Sequence, residues 1–173
     1  MRLVEKLFAE RLFALLERYS SRHVRIARLH NVYGPFGTWR GGREKAPAAI
    51  CRKVAEAEEH GSIQIWGDGG QIRSFLFIED CLDGITRLMR SDVSQPLNIG
   101  SEESVTIGEL ARRVIQLSGK RLTISFVPGP TGVDARSSDS SLVSDLIGWQ
   151  PTTTLMDGLA RTYAWIEQQV RQA

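Results

Sequence analysis

Helical and strand periodicities take turns along this 173-residue chain. That alternation, more than any single motif, restricts it to an α/β architecture. Leu3, Val4, Leu7, Phe8, Leu12, Leu15 and Leu16 recur at helical spacing from near residue 2 to Tyr19, which predicts an amphipathic or largely buried helix. The Val- and Ile-containing stretch His23 to Leu29 predicts a strand. A helix then runs from Ala46-Pro47 through Val54 and Glu58 to a stop at Gly61. Proline suits the first helical position, where no backbone N–H is needed, and glycine suits the end. Ile63 to Trp66 and Arg73 to Ile78 read as strands joined by Gly67-Asp68-Gly69-Gly70, a hairpin candidate because that linker tolerates positive φ. Glu79 to Arg90 predicts a helix and Pro96 to Ile99 a brief strand. Thr106 with Glu109 predicts a capping box that opens a helix to Leu117, with its stop at Gly119. Leu122 to Val127 predicts a strand, Pro128 to Ser140 a loop, and Ser140 to Ile147 and Leu155 to Val170 two closing helices.

The stretch RLHNVYGPFGTWRGGREKAPAAI, from Arg28 to Ile50, leads from a strand through a glycine-broken loop into a helix start, a junction able to hold an anion. The rest of the composition narrows the partners. A formal net charge of +2, with no basic run interleaved with aromatics, argues against nucleic acid. Cys51 and Cys81 fit no metal or redox spacing and read as reduced, core-filling thiols, so no metal site is expected. Charges interrupt every apolar stretch well short of a membrane span, and the start MRLVEK lacks a signal-peptide pattern. The expectation is a cytoplasmic protein with a single core.

No glycine-rich dinucleotide fingerprint follows any of these strands. Yet three blocks, RLHNVYGPFGTWRGGREKAPAA, WGDGGQIRSFLFIEDC, and NIGSEESVTIGELA followed by VPGPTGVDARSSD and LIGWQP, carry a resemblance to the extended short-chain dehydrogenase/reductases. Asn31-Val32-Tyr33-Gly34-Pro35 is common to many nucleotide-sugar epimerases and dehydratases, whereas Trp39 to Pro47 is specific to the GDP-mannose 3,5-epimerase family. The resemblance covers nearly the whole chain but only the C-terminal half of such an enzyme. It implies a Rossmann-type fold without its glycine-rich half: residues 1–45 as the last helix and strand region with the active-site loop, and 46–173 as the substrate-binding subdomain.

The resemblance also implies a chemistry. NAD removes a hydride at C4 of the hexose, the ketone acidifies the C3 and C5 protons, a cysteine and a lysine exchange them, and the hydride returns to give GDP-L-galactose. Lys45 matches that catalytic lysine, which works near neutrality only if desolvation or nearby cations lower its pKa. Its competing role is a solvated loop lysine. Lys6 matches the lysine that serves catalysis and cofactor binding one helical turn after a tyrosine, but Arg2 stands at the tyrosine position and has no accessible deprotonated form. Neither cysteine lies in the block of the proton-exchanging one. On the substrate side the resemblance implies Asn31, Glu44 and Ala46 around the sugar, Lys53 and Arg136 at the diphosphate, and Gln71, Ile72 and Arg73 at the nucleotide. Asn31 competes as a turn former bonding its own backbone, and Lys53 as a surface charge paired with Glu56. Trp39, Trp66, Trp149 and Trp165 read as core or loop anchors.

Two functions follow as expectations. One is the GDP-mannose-binding half of an epimerase, inactive until an N-terminal partner polypeptide supplies the NAD loop, cysteine and tyrosine. The other is a non-catalytic GDP-sugar-binding module or truncated remnant, dimerising through the first helix. In either case the first helix and strand should present an apolar patch or an unpaired edge.

Overall fold

The computed structural model describes residues 2–172, with side chains from Val4 onward. Helix α1 (Arg2–Tyr19) leads into strands β1 (Ala27–Leu29) and β2 (Val32–Tyr33), then helix α2 (Ala46–Glu56). Strands β3 (Ser62–Trp66), β4 (Ile72–Ser74) and β5 (Leu76–Phe77) precede helix α3 (Ile78–Arg90), followed by β6 (Leu97–Ile99) and β7 (Ser104–Thr106). Helix α4 (Ile107–Ser118), β8 (Thr123–Val127), β9 (Ala135–Arg136), α5 (Ser141–Ile147) and α6 (Leu155–Gln172) complete the order. Pairing is largely parallel, as an α/β architecture requires: β1 with β6, β2 with β5, and β3 with β8. A three-stranded sheet, β7-β4-β9, is mixed, with β4 antiparallel to β7 and parallel to β9.

Two apolar clusters hold these elements together. In the larger, Ile50, Cys51 and Val54 of α2 meet Leu110 and Val114 of α4, Leu159 and Ile166 of α6, and Ile63 and Ile65 of β3. In the smaller, Cys81 and Leu88 of α3 meet Leu97 and Ile99 of β6, Val143 of α5 and Trp149. Both cysteines are free and buried, and burial pushes the Cys51 thiol up to about 12. They fill core, as their spacing predicts.

Several elements depart from the sequence expectation. The Gly67–Gly70 linker does not form a hairpin: β3 takes β8 as its partner, while β4 takes β7 and β9. The linker instead carries the chain between sheets, with Gly67 N–H donating to Val127 and Gly108 N–H to Gly69. The single strand expected over Arg73 to Ile78 is two, β4 and β5, and Ile78 already belongs to α3. Ser74, Phe75, Leu76 and Phe77 are all buried, so no alternation survives there to keep one pleated strand in register. Helix α2 ends at Glu56 rather than Gly61, because Ala57 turns extended and the Lys120 ammonium donates to the carbonyls of Val54, Ala55 and Ala57. The strand over His23 to Leu29 shrinks to β1, and the loop 128–140 contains β9.

Other local signals hold. Thr106 Oγ1 accepts from Glu109 N–H at 3.1 Å, and Gly119 ends α4 in the left-handed conformation at φ 70°. The capping box is only half made, since the Glu109 carboxylate turns to Arg112 and Arg113. No helix among the described residues is long and apolar enough to cross a membrane.

Candidate functional site

A cleft of about 630 Å³ opens where the loop before α2, the outer face of β3 and the loop after β8 converge. Glu44, Ala46 and Lys53 line it from one side, Gln71 and Trp66 from another, and Pro130 and Thr131 close it. The loop that carries Glu44 runs from Gly34 to Lys45 and turns through Gly41 (φ 94°) and Gly42 (φ 80°), a backbone path that favours glycine.

Arginines on and beside α2 fasten this loop. Arg52 Nε donates to the Trp39 carbonyl at 3.2 Å, Nη1 to Glu56 at 2.8 Å and Nη2 to Glu44 Oε1 at 3.3 Å. Arg40 lies over the Trp39 ring at 4.1 Å and donates to the other Glu56 oxygen at 3.2 Å. The half-exposed Arg40–Glu56 pair contributes little by itself. The Arg52–Glu44 pair is more consequential, because the Glu44 side chain is only 8% exposed.

Glu44 is therefore a buried carboxylate with a purpose to explain. Its own backbone N–H, then Arg52 and the Gly42 amide, hold its carboxyl below the usual carboxylate range against the opposing effect of burial. Its second oxygen, Oε2, is buried with no hydrogen-bond partner among the described residues. A buried acceptor left unpaired costs about 1–3 kcal/mol. Lys53 donates to the Gln64 carbonyl at 2.6 Å rather than pairing with Glu56. Burial, and then the adjacent Arg52, lower its pKa, with Glu44 opposing.

The sequence-derived candidates thus divide. Glu44, Ala46, Lys53 and Gln71, drawn from three separate stretches, share the cleft. Lys45 is exposed at the N-cap of α2, between two lining residues, without a side-chain capping bond. Asn31, at φ 36°, does not bond its own turn. Its Nδ2 crosses to the Ser74 carbonyl at 3.0 Å, which ties β2 to the β4–β5 junction. Ile72 lies on β4, and the Arg73 guanidinium donates to the carbonyls of Ile72, Thr131, Val133 and Asp134, bracing the loop that supplies Thr131. Arg136 is exposed on β9, in register with Arg73. Burial and then the Arg136 charge keep His30 below its ordinary pKa. Lys6 is exposed on α1.

Arg40, Arg52, Ile107, Pro130 and Thr131 also line the cleft and were not singled out by sequence reasoning, and Trp66, expected as a core or loop anchor, lies there 55% exposed. For Trp66 a signal existed: in Ser-Ile-Gln-Ile-Trp, period-two alternation turns Ser62, Gln64 and Trp66 away from the core side taken by Ile63 and Ile65. No cluster of three metal-ligating side chains exists among the described residues. Nor do these residues fit a dinucleotide: Gly67–Gly70 sits between two strands, and the loop 34–45 is too long and too open to act as the tight strand-to-helix turn of a phosphate-binding fingerprint.

Comparison with known proteins places this geometry in context. A family model described as NAD dependent epimerase/dehydratase family matches residues 3–100. The chain is 46% identical over 169 residues to the GDP-mannose 3,5-epimerase of Arabidopsis thaliana, covering 98% of this chain and 44% of that protein. Among solved structures it resembles a UDP-glucuronic acid 4-epimerase from Bacillus cereus in complex with UDP-glucuronic acid and NAD, at TM-score 0.80 and 29% identity over 96% of this chain and 52% of that one. The fold also matches a UDP-glucose 4-epimerase from Thermotoga maritima, at TM-score 0.88 and 22% identity over 96% and 53% of the two chains. The chain spans about half the length of the curated relatives it matches.

Proposed function

The chain belongs to the NAD dependent epimerase/dehydratase family, and from that premise we propose that it is the nucleotide-sugar-binding part of an epimerase of the GDP-mannose 3,5-epimerase type. Its ligand in this reading is GDP-mannose or a related GDP-sugar. The observation that carries the reading is convergence: Glu44 and Ala46, Lys53, and Gln71, each matched to the substrate side of that family, line one cleft of suitable size for a nucleotide sugar.

The residue roles follow from their chemistry. Lys53 offers an ammonium to the diphosphate, and each such charge-assisted contact contributes about 1.5–3 kcal/mol before ordering costs are subtracted. Arg136 and Arg73 add positive charge from the neighbouring strands β9 and β4. Glu44, which lines the cleft next to Ala46, offers its carboxylate to a hexose hydroxyl. Lys45, exposed between Glu44 and Ala46, moves a proton at a hexose carbon. Asn31 fixes the strand end behind them, and Lys6 faces outward from α1 toward whatever covers that helix. The redox step belongs to no residue of this chain. NAD is held, in this reading, by polypeptide corresponding to the part of the relatives that the chain does not match.

A non-catalytic GDP-sugar-binding module is the second reading, favoured by Arg2 at the position where the resemblance implies a tyrosine. Thermal shift and calorimetry on the purified chain test the binding claim common to both. GDP is expected to protect the fold more than UDP, and Lys53→Ala and Arg136→Ala to weaken that protection. Equal shifts with both nucleotides would overturn the guanine assignment. Incubation with GDP-mannose and NAD is expected to yield no GDP-L-galactose from the chain alone. Activity restored by a polypeptide carrying the glycine-rich half of a relative would decide for the enzyme reading over the binding module.

A further inference from the structure

Phe36 departs from two ordinary preferences at once. Its φ is 64°, in the left-handed region that a non-glycine residue enters at a cost, and its side chain is 87% exposed. Burial therefore does not hold it there. The ring meets Trp165 of α6 instead, with centroids 5.4 Å apart and planes tilted by 55°, a separation typical of favourable aromatic pairs. Trp165 is half-buried and packs against the larger core, so it offers a fixed surface. The turn before Phe36 is constrained as well, since a Cβ at Gly34 (φ 153°) would run into the Ile78 side chain.

From this anchor the chain reaches the cleft through few contacts. Trp39 packs against the larger core. Its carbonyl accepts from Arg52 Nε at 3.2 Å, while Nη2 of the same guanidinium donates to Glu44 Oε1 at 3.3 Å. Between those two points lie Gly41 and Gly42, where a Cβ would find no described atom within 4 Å. The tip of the loop is thus unbraced, and the contacts on either side of it set where Glu44, Lys45 and Ala46 stand.

We propose that Trp165, acting through Phe36, is a positioning residue for the loop 34–45 and so for the groups that meet the hexose. The inference rests on the nucleotide-sugar reading of the cleft. Trp165 is not among the residues lining that cleft, and its influence travels by contact: indole to Phe36, the Trp39 carbonyl to Arg52, and Arg52 to Glu44.

Phe36→Gly separates this role from a merely structural one. It removes the ring and relieves the left-handed strain together, so the melting temperature is expected to shift little. Amides of residues 39–45 are expected to exchange faster with solvent. Titration calorimetry is expected to show the ratio of GDP-mannose to GDP association constants falling about three- to tenfold, the range of one aromatic pair. The GDP affinity itself should not change, because GDP carries no hexose. Trp165→Leu keeps an apolar side chain against the core and should lower the ratio in the native chain but not in Phe36→Gly. An unchanged ratio in Phe36→Gly, or a further drop when Trp165→Leu is added to it, would overturn the inference while the nucleotide reading stands. A native chain that binds neither ligand would overturn both.

Discussion

Glu44 shows how one residue joins stability to function. Its Oε1 is held by Arg52, its Oε2 is buried with no partner among the described residues, and its pKa is held below the usual carboxylate range. Removing the cation leaves that charge uncompensated, so Arg52→Met is expected to lower stability by about 1–3 kcal/mol. A double variant with Glu44→Gln should recover part of the loss, as urea denaturation would show. The pH dependence has a definite sign. A carboxyl with a depressed folded pKa contributes stability that is present above its unfolded value of about 4.3 and is lost as pH falls through the folded value. Glu44→Gln should therefore flatten the acid limb of the stability–pH profile below that point, and an unchanged limb would count against the buried-charge account. Glu44 was legible in the sequence through the specific run Trp39 to Pro47. Arg52 was not, because its partners Glu44 and the Trp39 carbonyl lie across a glycine-broken loop rather than one turn along a helix.

Elements show the same split between local and distant causes. Helix α4 starts and stops where its own residues say, at Thr106 and Gly119, and Thr106→Ala is expected to cost about 1 kcal/mol in thermal or urea unfolding. Helix α2 starts on its own Pro47 but stops through a residue far downstream, Lys120, whose ammonium donates to three carbonyls at 2.7–2.9 Å. Replacing that charge by Lys120→Met should destabilise the fold by about 1.5–3 kcal/mol and speed amide exchange in the last turn of α2. Equal exchange in variant and native chain would show that the cap is inert. The hairpin expected at Gly67–Gly70 failed for a related reason. Its composition permits a tight turn, but parallel pairing of β3 with β8 and capture of β4 by β7 and β9 depend on residues some thirty to sixty positions away.

At the scale of the molecule, α1 stands apart. Phe8 (67%), Val4, Leu12, Phe13 and Tyr19 are all exposed, and ion pairs of Arg28 with Glu10 and Arg25 with Glu17 tie the helix to the rest. Among the described residues β1 pairs on one side only, with β6. Each large apolar side chain left out of a core forgoes about 1.5–3 kcal/mol, so this surface favours association, either with a polypeptide corresponding to the unmatched part of the relatives or with a second copy. The isolated chain is expected to self-associate with rising concentration, and Phe8→Glu with Leu12→Glu to suppress this without lowering the melting temperature. Sedimentation and calorimetry read both, and a native chain monomeric throughout would refute the expectation. Amides of α1 should also exchange faster than those of α2 and α6, whose inner faces share the larger core. The sequence by itself determined the α/β alternation, most helix positions, the core role of both cysteines and the family, because periodicity, caps and a specific run are properties of neighbouring residues. Only the tertiary structure decided which strands pair, where α2 ends, that Asn31 and Arg73 hold backbone carbonyls, and that Glu44, Lys53, Gln71 and the outward Trp66 share one cleft. Those outcomes depend on contacts between residues distant in the chain, and no local pattern encodes them.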